Sequence, residues 1–563
     1  MIHLIIEMGS GRGQGNRLQF ANMRTYRSLW AAVVAVVLCA LLGGFFGRGA
    51  LVAQDQIADQ YRVFTTALDA VEANFVGEVE SDRLVYGAIS GMLQMLDPHS
   101  SFMDPRSYAQ MRERQEGRYY GLGISINVVE GGITVFSVFE GSPAYEQGLR
   151  RGDIISRIEG EDTQDWTSDQ AVGQLRGPRG SSVRISIRRA GYAQLIDLDV
   201  QRDEIHIPTV HAAFMLDETT GYILLTDFGE NSNEEMGIAL SALTEQGMQR
   251  IVLDLRNNPG GALDQAISIS NRFLPRGDLI VYTRGRVSNS DQDYRATEES
   301  QYLDLPMITL VNRRSASASE IVSGALQDHD RSLIVGETTF GKALVQSVYR
   351  VSGGAGLAVT TARYYTPSGR LIQRSWDGTF DEYLTYALRE QEASKDHEPD
   401  ELKFTDGGRR VYGGGGVEPD RRFDGPIDGF SPSRFSRTLS ARNLFNTFSQ
   451  RFRRADDQRI SVSPSSAVRE LSVDFEVTDA LVIEFREHVQ ASGLGIDEEA
   501  WQQDQSFILA MLRFGIDVDL FGIEVARKNL AVQDPQLGYA LTLFPEAEAL
   551  MRLTASPAQQ AQR

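Results

Sequence analysis

The sequence predicts an α/β protein in which a layered core carries an inserted β-rich module, with a helical segment before it and a helical extension after it. Three observations predict this. Apolar runs of strand length at residues 221–225, 251–255 and 307–311 lead into stretches with helical spacing, the pattern of βα units in a parallel layer. Between residues 117 and 203 short alternating strands take over. Residues 54–116, and again the region after 426, carry apolar side chains three and four positions apart, as amphipathic helices do.

With 563 residues, several domains are expected. The boundaries read as a tail with an anchor or signal over 1–53, a helical region over 54–116, the β-rich module over 117–203, the α/β core over 204–425 and a helical extension over 426–563. A net charge of −20 argues against a broad phosphate-binding surface, so no nucleic-acid partner is expected, and it reads as a solvated acidic surface. Cys39 is the single cysteine, which excludes an intrachain disulfide and fits either redox compartment.

Residues 1–22 are polar and glycine-rich, and Met23 begins a more natural leader. Arg24 and Arg27 precede an uncharged run from Ser28 to Gly47 that is long enough to cross a bilayer. Arginines on that side place the N-terminus inside and the rest of the chain outside the cytoplasm. A membrane anchor through residues 28–47 is the expectation. Secretion after signal cleavage near Ala53 is the alternative. Leu38 in front of Cys39 argues against a lipid-attachment site.

Tyr61, Phe64, Leu68, Val71 and Phe75 form one helical stripe, and Val85, Ile89, Met92 and Leu96 a second; both are expected to be core faces. Leu96-Asp97-Pro98-His99-Ser100 follows, with His99 read as a turn residue rather than a base. The module opens with Tyr120-Gly121-Leu122-Gly123-Ile124. Strands over Ile133–Val138 and Val183–Arg188 follow, with a short helix started by Ser142-Pro143-Ala144 and the phrase Arg151-Gly152-Asp153-Ile154-Ile155 between them. This arrangement resembles a PDZ domain. The resemblance implies that backbone N–H groups at Gly121, Leu122, Gly123 and Ile124 hold the C-terminal carboxylate of a peptide that adds a strand to the sheet edge. The spacing is not that of a G-x-G-x-x-G nucleotide loop.

In the core, the strand Ile251–Leu255 runs into Asn257-Asn258-Pro259-Gly260-Gly261 and then a helix from Leu263 to Phe273. Residues 285–303 are polar and charged and read as a loop over the site. The strand Met307–Val311 leads to Ser315-Ala316-Ser317-Ala318-Ser319-Glu320, after which Ile321, Val322, Ala325 and Leu326 recur at helical spacing. A serine cluster thus sits at a strand-to-helix junction, where free N–H groups and the helix dipole favour a developing anion. A second strand, Leu333–Val335, leads to the loop holding Lys342. Lysine occurs only at 342, 395, 403 and 528, and the other 52 of the 56 basic residues are arginine. Position 342 therefore calls for something arginine cannot do, and a desolvated lysine can lose its proton and act as a base. A capping serine beside an ordinary lysine is the plainer reading of the spacing alone.

The wording of the stretch goes further. Ser-Ala-Ser-Ala-Ser-Glu, followed by Phe340-Gly341-Lys342 and Gln346, resembles the C-terminal processing (tail-specific) peptidases of family S41. The likeness extends over roughly residues 60–420. It implies a crotonase/ClpP-like α/β core with a PDZ insert and a serine endopeptidase activity without metal or cofactor. The implied nucleophile is Ser317, the base Lys342 and the residue orienting it Gln346. N–H groups of Gly260 and Ala318 are the implied oxyanion hole, with Gly261 also open for the first. Ser315 and Ser319 are structural. Protein or peptide substrates, chosen through their C-termini, are the implied partners. The extension over 426–563 could pack on the core, form a homo-oligomer or hold a partner. A catalytically silent PDZ-containing binding protein is the alternative on the same fold, which is similar to the core of interphotoreceptor retinoid-binding proteins. The intact serine, lysine and glutamine argue against it.

Overall fold

A computed structural model describes residues 58–376 except 130, 190 and 191, then 383, 385–386, 397–423, 432–449, 451–453, 469–472 and 475–554. The run Ser28–Gly47, Cys39 and Ala53 lie outside the described residues. Among the described residues no helix is long and apolar enough to cross a membrane. The chain divides into two units, one ending at Met92 and one spanning Leu93–Arg563.

The first unit holds a helix over residues 58–74 and most of the helix Ser81–Gln94. Tyr61, Phe64, Val71 and Phe75 are exposed, and so is Met92. The stripe expected to be a core face is therefore not closed, because an amphipathic stripe is buried only where another element supplies a facing apolar surface.

In the second unit the chain starts with a short strand, Ser101–Met103, where helix was expected; it pairs with Gly356–Ala358. The helix Pro105–Glu116 follows. It is capped by the Asp104 side chain on Ser107 N–H and closed by Gly117 at φ 64°.

The β-rich module hangs on a two-stranded stem in which Arg118–Gly121 pairs antiparallel with Asp203–His206, so its entry and exit are clamped together. Its sheet runs in the order Ile124–Val129, Gly132–Val138, Ile154–Ile158, Ser182–Arg188, Ile196–Gln201. Ile133, Val135, Ile155, Val183, Ile185 and Val200 fill its own core, beneath the helix Ser168–Leu175.

The central sheet has the order Val210–Met215, Thr220–Leu225, Arg250–Asp254, Met307–Val311, Leu333–Gly336, Arg421–Arg422. Only the first pair is antiparallel; the rest are parallel, as βα units dictate. Alternate side chains face opposite ways. Ile251, Leu253, Met307 and Val311 meet the helices Ser232–Glu245, Leu263–Asn271 and Ala318–Asp328. Val252, Ile308, Leu310, Leu333 and Val335 meet Leu537, Ala540, Phe544 and Leu550 from the last two helices, Pro535–Thr542 and Phe544–Thr554. Each large apolar side chain buried there is worth roughly 1.5–3 kcal/mol. Part of the C-terminal extension is thus the second cover of the core sheet. The remainder, residues 434–521, has an aromatic-rich core of its own around Phe445, Phe448, Phe485 and Trp501.

A second sheet joins Ser101–Met103, Gly356–Tyr365, Leu279–Gly285 and Gln292–Arg295, with Leu344–Arg350 also paired to Gly356–Tyr365. Residues 285–303, expected as a loop, contain the strand Gln292–Arg295, which folds back on Leu279–Thr283.

Candidate active site

Three turns meet at the N-terminus of the helix Ala318–Asp328. The strand Met307–Val311 ends at a turn in which Ser315 Oγ donates to Leu255 O at 2.8 Å and accepts Asn312 N–H at 2.9 Å. Ser319 Oγ donates to Asn258 O at 3.0 Å. Both flanking serines are fully buried and tie the serine turn to the neighbouring glycine turn. Ser317 is half-buried between them, at φ 54°, ψ −109°. A non-glycine residue held there costs about 1–3 kcal/mol, which the surrounding bonds must offset.

The glycine turn presses directly on the serine turn. A Cβ on Gly260 would lie 2.6 Å from Ala316 O, 2.8 Å from Ala318 N and 2.8 Å from Ser317 Cβ, and φ is +98°. Only glycine permits this approach. Ala318 N–H has no partner among the described hydrogen bonds. Gly260 N–H, by contrast, is bonded to Asn258 Oδ1 at 2.9 Å. The Asn258 side chain is itself anchored on Leu225 O at 2.9 Å. The sequence-based assignment of Gly260 as the free donor is therefore corrected for this arrangement: of the two glycines, Gly261 is the one whose N–H has no partner among the described residues.

Lys342 lies on the loop after the strand Leu333–Gly336, and Gln346 sits on the strand Leu344–Arg350. The pairing of this strand with Gly356–Tyr365 slips between Val345 and Gln346, a bulge that re-aims the glutamine. Lys342 Nζ donates to Gln346 Oε1 at 3.0 Å, and Gln346 Nε2 donates to His99 O. Burial pushes the Lys342 ammonium below its usual pKa, with Glu320 and Asp97 opposing. His99 is pushed down to about 4 by its own burial and then by Lys342, so its ring is neutral at pH 7. It sits at the end of a turn held by Asp97, whose Oδ1 accepts His99 N–H and Ser100 N–H, both at 2.8 Å. The turn-residue reading of His99 fits this bonding.

The group that unites the site was not singled out from the sequence. Glu320, fully buried, accepts Ser317 N–H at 2.7 Å and Lys342 N–H at 2.9 Å on Oε2. Its Oε1 accepts Gly341 N–H at 2.6 Å and Thr339 Oγ1–H at 2.5 Å. One carboxylate thus joins the serine turn to the lysine loop. Desolvation pushes it up to about 7, against these four donors. The signal was legible: glutamate three residues after a serine is the capping-box spacing. Tyr364 OH adds a second tie, 3.0 Å from Ser317 O and 2.5 Å from Lys342 O.

The last helices reach this site through Arg256. Its guanidinium meets Asp254 at 2.6 Å and Asp534 at 2.6 Å and donates to Gln536 Oε1 at 3.1 Å. Arg256 stands two residues before Asn258, so the glycine turn leans on the C-terminal extension.

In the β-rich module, Gly123 is at φ +79°, with a Cβ position only 2.2 Å from Ser142 Cβ. The carbonyls of Leu122 and Gly123 are tied to Ala144 N–H and Phe139 N–H, both at 2.9 Å. The Tyr119 side chain lies beside the N–H groups of Gly123 and Ile124, and Arg176 stacks over its ring at 4.6 Å. Among the described residues no cluster of three or more His, Cys, Asp or Glu has a metal-holding arrangement.

Sequence comparison decides the family. Residues 219–379 match the profile of peptidase family S41, residues 110–188 that of the PDZ domain and residues 50–107 that of the activating protease CtpB N-terminal domain. The carboxy-terminal-processing protease of Bartonella bacilliformis is 39% identical over 314 residues, covering 55% of this chain and 72% of that one. This chain belongs to peptidase family S41. It is a serine-type peptidase related to the carboxy-terminal processing proteases. Among the other S41 relatives, carboxy-terminal processing protease CtpA of Bacillus subtilis is 32% identical over 346 residues, 61% of this chain and 73% of that one. The carboxyl-terminal-processing protease of a Synechocystis species is 40% identical over 297 residues, 51% and 68% of the two chains. Ser317, Lys342, Gln346 and both turn glycines fall inside the S41 match, and Gly121 to Ile124 inside the PDZ match.

Proposed function

We propose that the chain is an exported endopeptidase that cleaves protein substrates selected by their C-termini, with Ser317 as nucleophile and Lys342 as general base. The observation that carries this reading is the pairing of a desolvated Lys342, bonded to Gln346, with a Ser317 turn joined to it through Glu320. Neutral Lys342 takes the Ser317 proton as Oγ attacks the peptide carbonyl. Gln346 holds the amine in place. The developing oxyanion is met by Ala318 N–H and by a donor of the glycine turn, Gly261 in the present arrangement. The lysinium then protonates the leaving amine, and water hydrolyses the acyl-enzyme. Removing one such donor typically costs roughly 2.7–4 kcal/mol of transition-state stabilisation. The PDZ domain presents substrate C-termini at Gly121–Ile124.

A denatured protein incubated with wild type, Ser317→Ala, Lys342→Ala and Lys342→Arg, with fragments read by mass spectrometry, tests the dyad. Only wild type should cut, and its rate should rise with pH along an alkaline limb, since arginine cannot release its proton and lysine must. Full activity in Lys342→Ala would refute the dyad. Arg24 and Arg27 before the Ser28–Gly47 run support an anchored, exported protein. Fractionation that found a soluble mature chain beginning near Gln54 would replace the anchor with a cleaved signal.

A further inference from the structure

A cavity of about 370 Å³ opens beside the glycine turn. Its wall includes Gly260 and Gly261, and Phe228 is laced to that turn: Phe228 N–H donates to Gly260 O at 3.1 Å, and Ala262 N–H donates to Phe228 O at 2.8 Å. A peptide whose carbonyl lies at Ser317 and against this turn must carry one of its neighbouring residues past the opening. The cavity therefore belongs to the residue flanking the scissile bond, an assignment that rests on the Ser317 reading above.

Its lining is mixed. Phe228 and Met111 are apolar, and Asp227 is its single carboxylate. Asp227 is half-buried; its Oδ1 accepts the N–H of Phe228 at 2.7 Å, and it makes no ion pair within 4 Å among the described residues. Burial pushes its carboxyl up, opposed by the Phe228 N–H and then by Arg114. Arg114 also lines the cavity, but it is exposed and solvent screens it. A carboxylate with no close ion pair beside the half-buried Met111 suits a side chain with a long aliphatic stem and a cationic head.

We propose that Asp227 makes this subsite select lysine or arginine next to the scissile bond, with the stem along Met111 and the cation on the Asp227 carboxylate. The test uses the full chain and quenched peptides that differ only at the residue before or after the scissile bond: lysine, norleucine or glutamate. At one of these positions kcat/KM should fall in that order, lysine exceeding glutamate about tenfold, equivalent to about 1.4 kcal/mol. Asp227→Asn should bring the lysine-to-glutamate ratio close to one, and Asp227→Lys should invert it. The ratio is taken within each variant, so it does not depend on how much of that variant folds. A flat ratio in wild type, or a ratio that survives Asp227→Asn, overturns the proposal. Cleavage that persists in Ser317→Ala would instead overturn the reading of the site on which it rests.

Discussion

Replacing Glu320 by glutamine tests whether one buried carboxylate holds the serine turn and the lysine loop in register. Each oxygen now accepts two donors. Glutamine offers one carbonyl oxygen and one NH2. With the NH2 in the Oε1 place, the Thr339 hydroxyl can turn to accept from it, and only Gly341 N–H is left unpaired. The other orientation strands both Ser317 N–H and Lys342 N–H. The better arrangement costs about 1–3 kcal/mol for one orphaned buried donor. A second effect works the other way. The folded protein holds the Glu320 proton up to about pH 7, against an ordinary value of 4.5. A raised folded pKa means stability that is full below the ordinary carboxyl value and is lost as pH rises through about 7. That loss amounts to about 3 kcal/mol. Urea unfolding of wild type should therefore show stability declining from about pH 5 to about pH 7, and Glu320→Gln should flatten the decline. Kinetics give an independent readout. The Glu320 charge favours protonated Lys342. Without it the lysine loses its proton more readily, and the alkaline rise in kcat/KM should move to lower pH. An unchanged pH slope of unfolding together with an unmoved or upshifted kinetic limb would refute the reasoning.

The other predictions concern the groups around this centre. Gly260→Ala places a methyl 2.6 Å from Ala316 O at φ +98°; thermal unfolding should show a loss of about 1–2 kcal/mol for the left-handed backbone alone, and proteolysis should vanish. A fully active Gly260→Ala enzyme would contradict the close packing. Asp534→Ala removes one of the two carboxylates on Arg256; it should lower stability by about 1–3 kcal/mol and reduce kcat although it touches no substrate, and kcat at the wild-type value would show that the glycine turn does not depend on the last helices. Tyr119→Phe removes the hydroxyl beside the Gly123 and Ile124 N–H groups, where it competes with a carboxylate for them. Anisotropy on the Ser317→Ala chain should then show tighter binding of a peptide with a free C-terminal carboxylate and no gain for its amidated form; equal gains for both would exclude carboxylate capture at that loop.

Much of this was legible in the sequence because the relevant signals are local. The strand Met307–Val311 matches its apolar run residue for residue, and the helix starting at Ala318 follows from the spacing of Ile321, Val322 and Ala325. Lys342 bonds Gln346, and the Ser317 and Lys342 backbones share Glu320, which the spacing of the two motifs alone does not show. What escaped depends on contacts between distant segments. The exception is local: Asn258 takes the N–H two residues on at Gly260, an Asx turn that Asn-Pro-Gly permits but that only the side-chain rotamer decides. The strand Gln292–Arg295 was hidden by its polar composition, which suits an edge strand as well as a loop. Asp97 and His99 acquire their place near Lys342 only through the sheet that pairs Ser101–Met103 with Gly356–Ala358. The stripe Tyr61–Phe75 illustrates the converse: periodicity predicts a face but not a surface to cover it.

The covering of the central sheet by Pro535–Thr542 and Phe544–Thr554 has a consequence for the order of events during synthesis. All the residues of the candidate site are translated before residue 420, yet one face of the sheet beneath them stays bare until the last helices have left the ribosome. Until then Val252, Ile308 and Leu310 lack their partners, and Arg256 lacks Asp534. A nascent chain that already contains Ser317 and Lys342 would hold its glycine turn only loosely, so proteolytic competence should arrive late, after more than a hundred further residues have been made. For an enzyme whose substrates are other polypeptides, that delay separates the making of the active groups from their first use.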